Sequence, residues 1–208
     1  MMATQSPGQR RLQILQALAA MLEQPKGEKI TTAALARRLE VSEAALYRHF
    51  ASKAQMFEGL IEFIETSVFG LIDQITGRQH DGQAQAGEIL AMLLHFAASN
   101  PGMTRVLTGD ALVGEDERLQ QRMNGFHDRV ELALKGALRQ AAADAASASS
   151  TASSTASSPT SGDAERDVAA RASLMVAFVL GRWHRYAKSG FTLVPTQDAA
   201  VQIALLLR

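Results

Sequence analysis

TTAALARRLEVSEAALYRHFASK, residues 31–53, decides how this chain is read. It spells two short helices joined by a tight turn, then an aromatic and basic exit that leads into another helix. Thr31 or Thr32 caps the first helix, whose apolar positions are Ala34, Leu35 and Leu39. The chain turns through Glu40 and Val41, and Ser42 is placed to cap a second helix that begins at Glu43. Ala45, Leu46 and Phe50 are the apolar positions there, with Tyr47, Arg48 and His49 beside them. Ser52-Lys53-Ala54-Gln55 fits the S-x-x-Q capping box that opens the next helix. Two helices at this spacing describe a helix-turn-helix, whose second helix is sized for the DNA major groove. The same spacing also fits a plain helical hairpin with no nucleic-acid role.

Charge distribution favours the first of these. The 208 residues carry no net charge. Residues 1–56 nevertheless hold eight Lys/Arg against four Glu, for +4, and residues 57–208 hold thirteen basic and seventeen acidic residues, for −4. A basic amino-terminal quarter on an acidic body fits a DNA-binding head attached to something that is not a DNA surface. With 47% hydrophobic and 20% charged residues and no apolar run long enough to span a bilayer, the composition is that of a soluble globular protein. The chain has no cysteine, which removes disulfides and cysteine-metal sites and suits a reducing cytosol. The five histidines (49, 80, 95, 127 and 184) show no metal-ligand spacing, and no cofactor is expected.

Outward from the opening stretch, helical periodicity dominates. Arg10 to Glu23 repeats apolar residues at 12, 15, 18, 19 and 22, one helical face, with Arg10 and Arg11 either reaching phosphate or solvated. Lys53 to about Ile75 is the longest periodic segment, with Phe57, Leu60, Ile61, Ile64, Val68, Leu71, Ile72 and Ile75 on one stripe. Phe63 lies roughly 120° from the centre of that stripe. Either a neighbouring helix covers it, or it is an apolar hot spot on a partner-binding surface.

Residues 76–87 read as a polar, Gly-containing loop, and Glu88 to Ala98 as a helix stopped by Asn100-Pro101-Gly102. A short piece through Met103 and Val106 precedes a long amphipathic helix that starts at Glu115–Glu117 and runs to about Ala142. Residues 147–162, almost all Ser, Ala and Thr, cannot offset their ordering entropy and are expected to form a disordered loop. A helix from Asp163 to Lys188 and a last one after Pro195 present apolar surface suited to a symmetric four-helix dimer interface.

VSEAALYRHFASK resembles the signature of TetR-type DNA-binding domains, where a Tyr-x-His-Phe-x-x-Lys run closes the recognition helix. That family usually has Gly in the interhelical turn; here it is Glu40, which carries about 1 kcal/mol of strain if the turn needs a positive φ. MFEGLIEFIE, NPGMTRVLTGDAL, DERLQQRMN and GRWHRYAKSGFTLVPT extend the likeness to the nucleoid-occlusion branch of the family. The resemblance implies an all-α, TetR-like fold: a three-helix helix-turn-helix head at 8–68 and a larger helical dimerisation and partner-binding body at 69–208. It implies a cytoplasmic, nucleoid-associated homodimer, with no membrane partner, that binds double-stranded DNA and the division protein FtsZ together. By disrupting FtsZ polymers, such a protein keeps the septum off the nucleoid. Phe63 and Asn100 fall on the FtsZ surface by this likeness, while Leu71 and Ser99 stand where Arg is expected.

For DNA, the expected phosphate contacts are Thr31, Thr32, Tyr47, His49 and Lys53, with bases read from the exposed side of residues 42–48, including Ser42 and Ala44. Arg48 either bonds a guanine or a phosphate, and alanines offer only apolar contact. A ligand-responsive TetR-type repressor is the alternative function. An enzyme is not expected, since the chain has no cysteine nucleophile, phosphate-cradling glycine loop or G-x-S-x-G elbow.

Overall fold

The computed structural model describes residues 7–24, 30–149 and 161–208. These form nine α-helices, one 3-10 turn and no strand. The head contains α1 (Pro7–Leu22), α2 (Thr32–Arg38) and α3 (Glu43–Tyr47), and α4 (Lys53–Arg78) carries the chain from head to body without a break. The body adds α5 (Gly82–Ser99), α6 (Pro101–Leu107), a 3-10 turn (Asp110–Leu112), α7 (Glu117–Ser149), α8 (Ser161–Lys188) and α9 (Ala199–Leu206).

Local sequence sets the helix starts in the head. Thr31, Ser42 and Ser52 each accept a hydrogen bond from the backbone N–H three residues on, at 3.1, 3.2 and 3.1 Å. The return bond of the third cap runs one residue further back than in the usual box, from the Ala51 N–H to Gln55 Oε1 at 2.8 Å. Helix α2 ends in a Schellman arrangement: the Glu40 N–H donates to the Arg37 carbonyl and the Val41 N–H to the Ala36 carbonyl. That geometry needs a left-handed residue, and Glu40 takes it at φ 54°. The turn does need the positive φ at Glu40. Glu40→Gly should therefore raise stability by about 1 kcal/mol, and an unchanged or lower urea midpoint would show that the turn stores no strain.

One hydrophobic core runs through head and body. Ile14, Leu18 and Leu22 of α1 face Leu35, Leu46, Phe50 and the inner stripe of α4, and that stripe continues onto α5 and α7. In the body, α5, α7 and α8 pack together and α9 lies along α5. Trp183 of α8 is fully buried, and its indole N–H donates to the Leu93 carbonyl of α5 at 3.2 Å, so its polar edge is satisfied. Helix α6 lies across α1 at Gly102, where an added Cβ would stand 2.0 Å from the Ala19 carbonyl oxygen. Arg105 of α6 reaches the Leu22 carbonyl at the end of α1 and pairs with Asp110 at 2.9 Å. Lys188 at the end of α8 holds the same carboxylate at 2.8 Å. Asp110 thus ties the end of α1 to the body.

Three sequence expectations change. Residues 76–87 are not a loop: α4 continues to Arg78, α5 starts at Gly82, and only 79–81 turn. Asp81 caps α5 at 2.7 Å, Gln85 Nε2 donates to the Gln79 carbonyl at 2.6 Å, and Gly82 lets the α7 backbone come where no Cβ would fit. Leu71, expected on the core stripe, is 37% exposed. Helix α1 buries Ile14 with Leu18 and Leu22, while Leu12 turns outward. The Ser/Ala stretch expected to be disordered lies mostly outside the described residues; 147–149 close α7 and 161–162 open α8 as helix. No helix among the described residues is long and apolar enough to cross a membrane.

Candidate functional site

The residues expected to touch DNA gather on α2, α3 and the start of α4. Thr31 and Ser42 spend their side-chain oxygens on capping. The Thr32 hydroxyl donates to Glu43 Oε2 at 2.7 Å and accepts from the Tyr47 hydroxyl at 3.4 Å, so three side chains bridge α2 and α3. Tyr47 is 44% exposed. Ala44 and Arg48 are exposed as well, and Ala45 is half-buried. His49 is half-buried, and its carbonyl accepts from Arg11 Nη1 of α1 at 2.6 Å.

Lys53, expected at the phosphate backbone, opens α4 and has an internal partner. Its ammonium pairs with Glu115, in the segment before α7, and lies 5.7 Å from the centre of the Phe57 ring. Next to it, a hydrogen bond from the Arg118 side chain brings the Asp116 carboxyl down to about 2. An acidic edge of the body therefore abuts the basic head.

Phe63 and Asn100 come together. Both line a groove of about 290 Å³ between α1, α4 and α6, with Leu12, Leu15, Leu60 and Met103 forming its apolar walls. Phe63 is 39% exposed, so among the described residues its neighbours leave the ring partly open to the groove. Asn100 Nδ2 donates to the Phe96 carbonyl at 2.8 Å, which fixes the amide at the α5–α6 corner. Among the described residues Glu23 is the one ionisable side chain in the lining, and Leu71 and Ser99, both outside it, are exposed. Sequence reasoning missed the α1 wall. Its signal was a surplus of apolar residues on α1, where Leu12 and Leu15 accompany the buried Ile14, Leu18 and Leu22.

His127 packs between Phe126 and Trp183, 2.9 Å from the Leu107 carbonyl, and burial pushes its pKa down. It acts as a core histidine. Among the described residues no group of His, Asp or Glu could hold a metal ion.

Known proteins resemble both the head and the body of this chain. A family model described as bacterial regulatory proteins of the tetR family matches residues 14–60, and one described as a tetracyclin repressor-like C-terminal domain matches 81–152. The chain is 45% identical to the nucleoid occlusion factor SlmA of Alteromonas mediterranea, across 91% of this chain and 89% of that protein. It is 40% identical to SlmA of Colwellia psychrerythraea, across 100% and 98%. A TetR transcription regulator from Haloarcula marismortui shares the fold, with a TM-score of 0.72 at 15% identity over 96% of this chain and 97% of that one. The first two are nucleoid occlusion factors and the third is a transcription regulator. With this level of identity over nearly its whole length, the chain belongs to the SlmA family of nucleoid occlusion factors, built on the TetR-type fold.

Proposed function

We propose that this protein, acting in the cytoplasm on the nucleoid, binds chromosomal DNA through α2 and α3 and binds FtsZ in the groove between α1, α4 and α6. Disruption of FtsZ polymers beside the chromosome then keeps the septum from forming over it. The observation that supports this reading is the groove itself. Phe63, set apart by its position on α4, and Asn100, 37 residues further on, share one apolar recess whose α1 wall belongs to the DNA-binding head. Residues 8–68 act as the DNA-binding unit and 69–208 as the dimerisation and partner-binding unit, with the division falling inside α4. Thr31, Thr32, Tyr47, His49 and Lys53 position the phosphate backbone, and the exposed Ala44 and Arg48 with Ser42 face the bases.

The homodimer is proposed on the outer face of α8, where Leu174, Ala177 and Gly181 are exposed at helical spacing, with Val201 and Leu205 exposed on α9. A monomer mass by light scattering at micromolar concentration would remove this assignment.

Sedimentation of FtsZ polymers tests the central claim. Wild-type protein with selected duplex DNA should shift FtsZ from pellet to supernatant, and do so less without DNA. Phe63→Ala should weaken FtsZ binding about tenfold or more, as expected for a central aromatic anchor, while leaving DNA affinity unchanged. Full polymer disruption by the variant would place the FtsZ surface elsewhere.

A further inference from the structure

Arg11 lies on α1, outside the helix-turn-helix, yet two of its contacts converge on the end of the recognition helix. Nη1 donates to the His49 carbonyl at 2.6 Å, and the guanidinium carbon sits 4.2 Å from the centre of the Phe50 ring. His49 and Phe50 are the residues at which α3 closes: both of their N–H groups bond the Leu46 carbonyl. Phe50 is itself fully buried, with its ring edge where a Cβ on Gly59 would come within 3.0 Å. One planar cation therefore satisfies a carbonyl at the end of α3 and stacks on the aromatic that seats α3 against α4.

From this geometry we infer that Arg11 is a positioning residue for DNA recognition: it fixes the angle at which α3 is presented and does not itself hold phosphate. The fork of the guanidinium does two things at once, and lysine, a point charge on a flexible stem, cannot both donate in that plane and stack. Lysine does preserve the charge, so the two roles separate. A phosphate contact survives Arg11→Lys and disappears in Arg11→Met. A positioning contact fails in both. The inference rests on DNA reading by α3.

The test uses the full-length protein with the tightest duplex that wild type selects from a random 20-base-pair library, and a scrambled duplex of the same length. Equilibrium binding is measured across a salt series for wild type, Arg11→Lys and Arg11→Met, with amide exchange of Leu46 to Phe50 followed in the absence of DNA. Both variants should lower the ratio of selected to scrambled affinity about 5- to 20-fold. The slope of log K against log salt should stay at the wild-type value, and the α3 amides should exchange faster. A slope reduced by about 0.9 in Arg11→Met alone, with the ratio constant, identifies a phosphate contact and overturns the inference. So does a ratio within twofold of wild type in both variants, or unchanged exchange. If wild type selects no duplex at all, the DNA-binding reading fails, while the exchange arm still reports on the latch.

Discussion

Gly102→Ala should cost about 3 kcal/mol of folding stability, near the upper end of what overpacking does. The new Cβ would lie 2.0 Å from the Ala19 carbonyl oxygen and 2.9 Å from its carbon, and both atoms belong to the α1 backbone. No side chain can swing away to make room. Helix α6 must instead lift off α1, which pulls Arg105 from the Leu22 carbonyl and widens the groove between Asn100, Met103 and Leu12. The variant should therefore also bind FtsZ less well while its head folds normally. Gly125→Ala is the matching control. It sits inside α7 with nothing within 4 Å of its would-be Cβ, so helix propensity alone should make it neutral or stabilising by about 0.5–1 kcal/mol. Urea unfolding of the pair gives the comparison. A Gly102→Ala midpoint equal to that of Gly125→Ala would mean that α1 and α6 do not approach this closely.

The second large effect concerns Lys53. Lys53→Ala should weaken selected and scrambled DNA about equally, each about 5- to 10-fold near physiological salt, and lower the salt slope by about 0.9 for one lost phosphate contact. A change of sequence preference at constant affinity would contradict a phosphate role. Because Lys53 is held by Glu115 in the free protein, DNA has to compete with an internal carboxylate for it. Glu115→Gln should accordingly tighten DNA about threefold, and the gain should vanish in the Lys53→Ala background. Were Glu115→Gln to weaken DNA, the pair would be holding Lys53 in place for the phosphate, not withholding it.

What the sequence made legible was local in origin. Thr31, Ser42 and Ser52 cap the helices they precede because capping is a contact within three residues, and the strained Glu40 follows from the turn its neighbours demand. The stretch from Thr76 to Gly87 misled for the opposite reason. Its Gly and Gln residues look like loop, whereas Asp81 caps α5 and Gly82 admits the α7 backbone, a contact some sixty residues away in sequence. Leu71 shows the limit of periodicity, which finds a stripe but not how much of it a neighbour covers. At the candidate site, Phe63 stood out by angle alone. The wall opposite it, on α1, did not, and neither did the partners of Arg11 and Lys53, which lie 38 and 62 residues away. Such pairings exist only once the chain is folded.

Helix α1 gives one side to the core beneath the recognition helix and the other to the groove that holds Phe63. Two ligands that meet a shared rigid element are bound by thermodynamic reciprocity. Whatever factor DNA contributes to FtsZ affinity, FtsZ must return to DNA affinity, because the two routes to the ternary complex share their end states. On the proposed function, an FtsZ affinity raised by DNA means a DNA affinity raised by FtsZ. Affinity for DNA should then rise as FtsZ accumulates, and a division protein arriving at the nucleoid would strengthen its own antagonist.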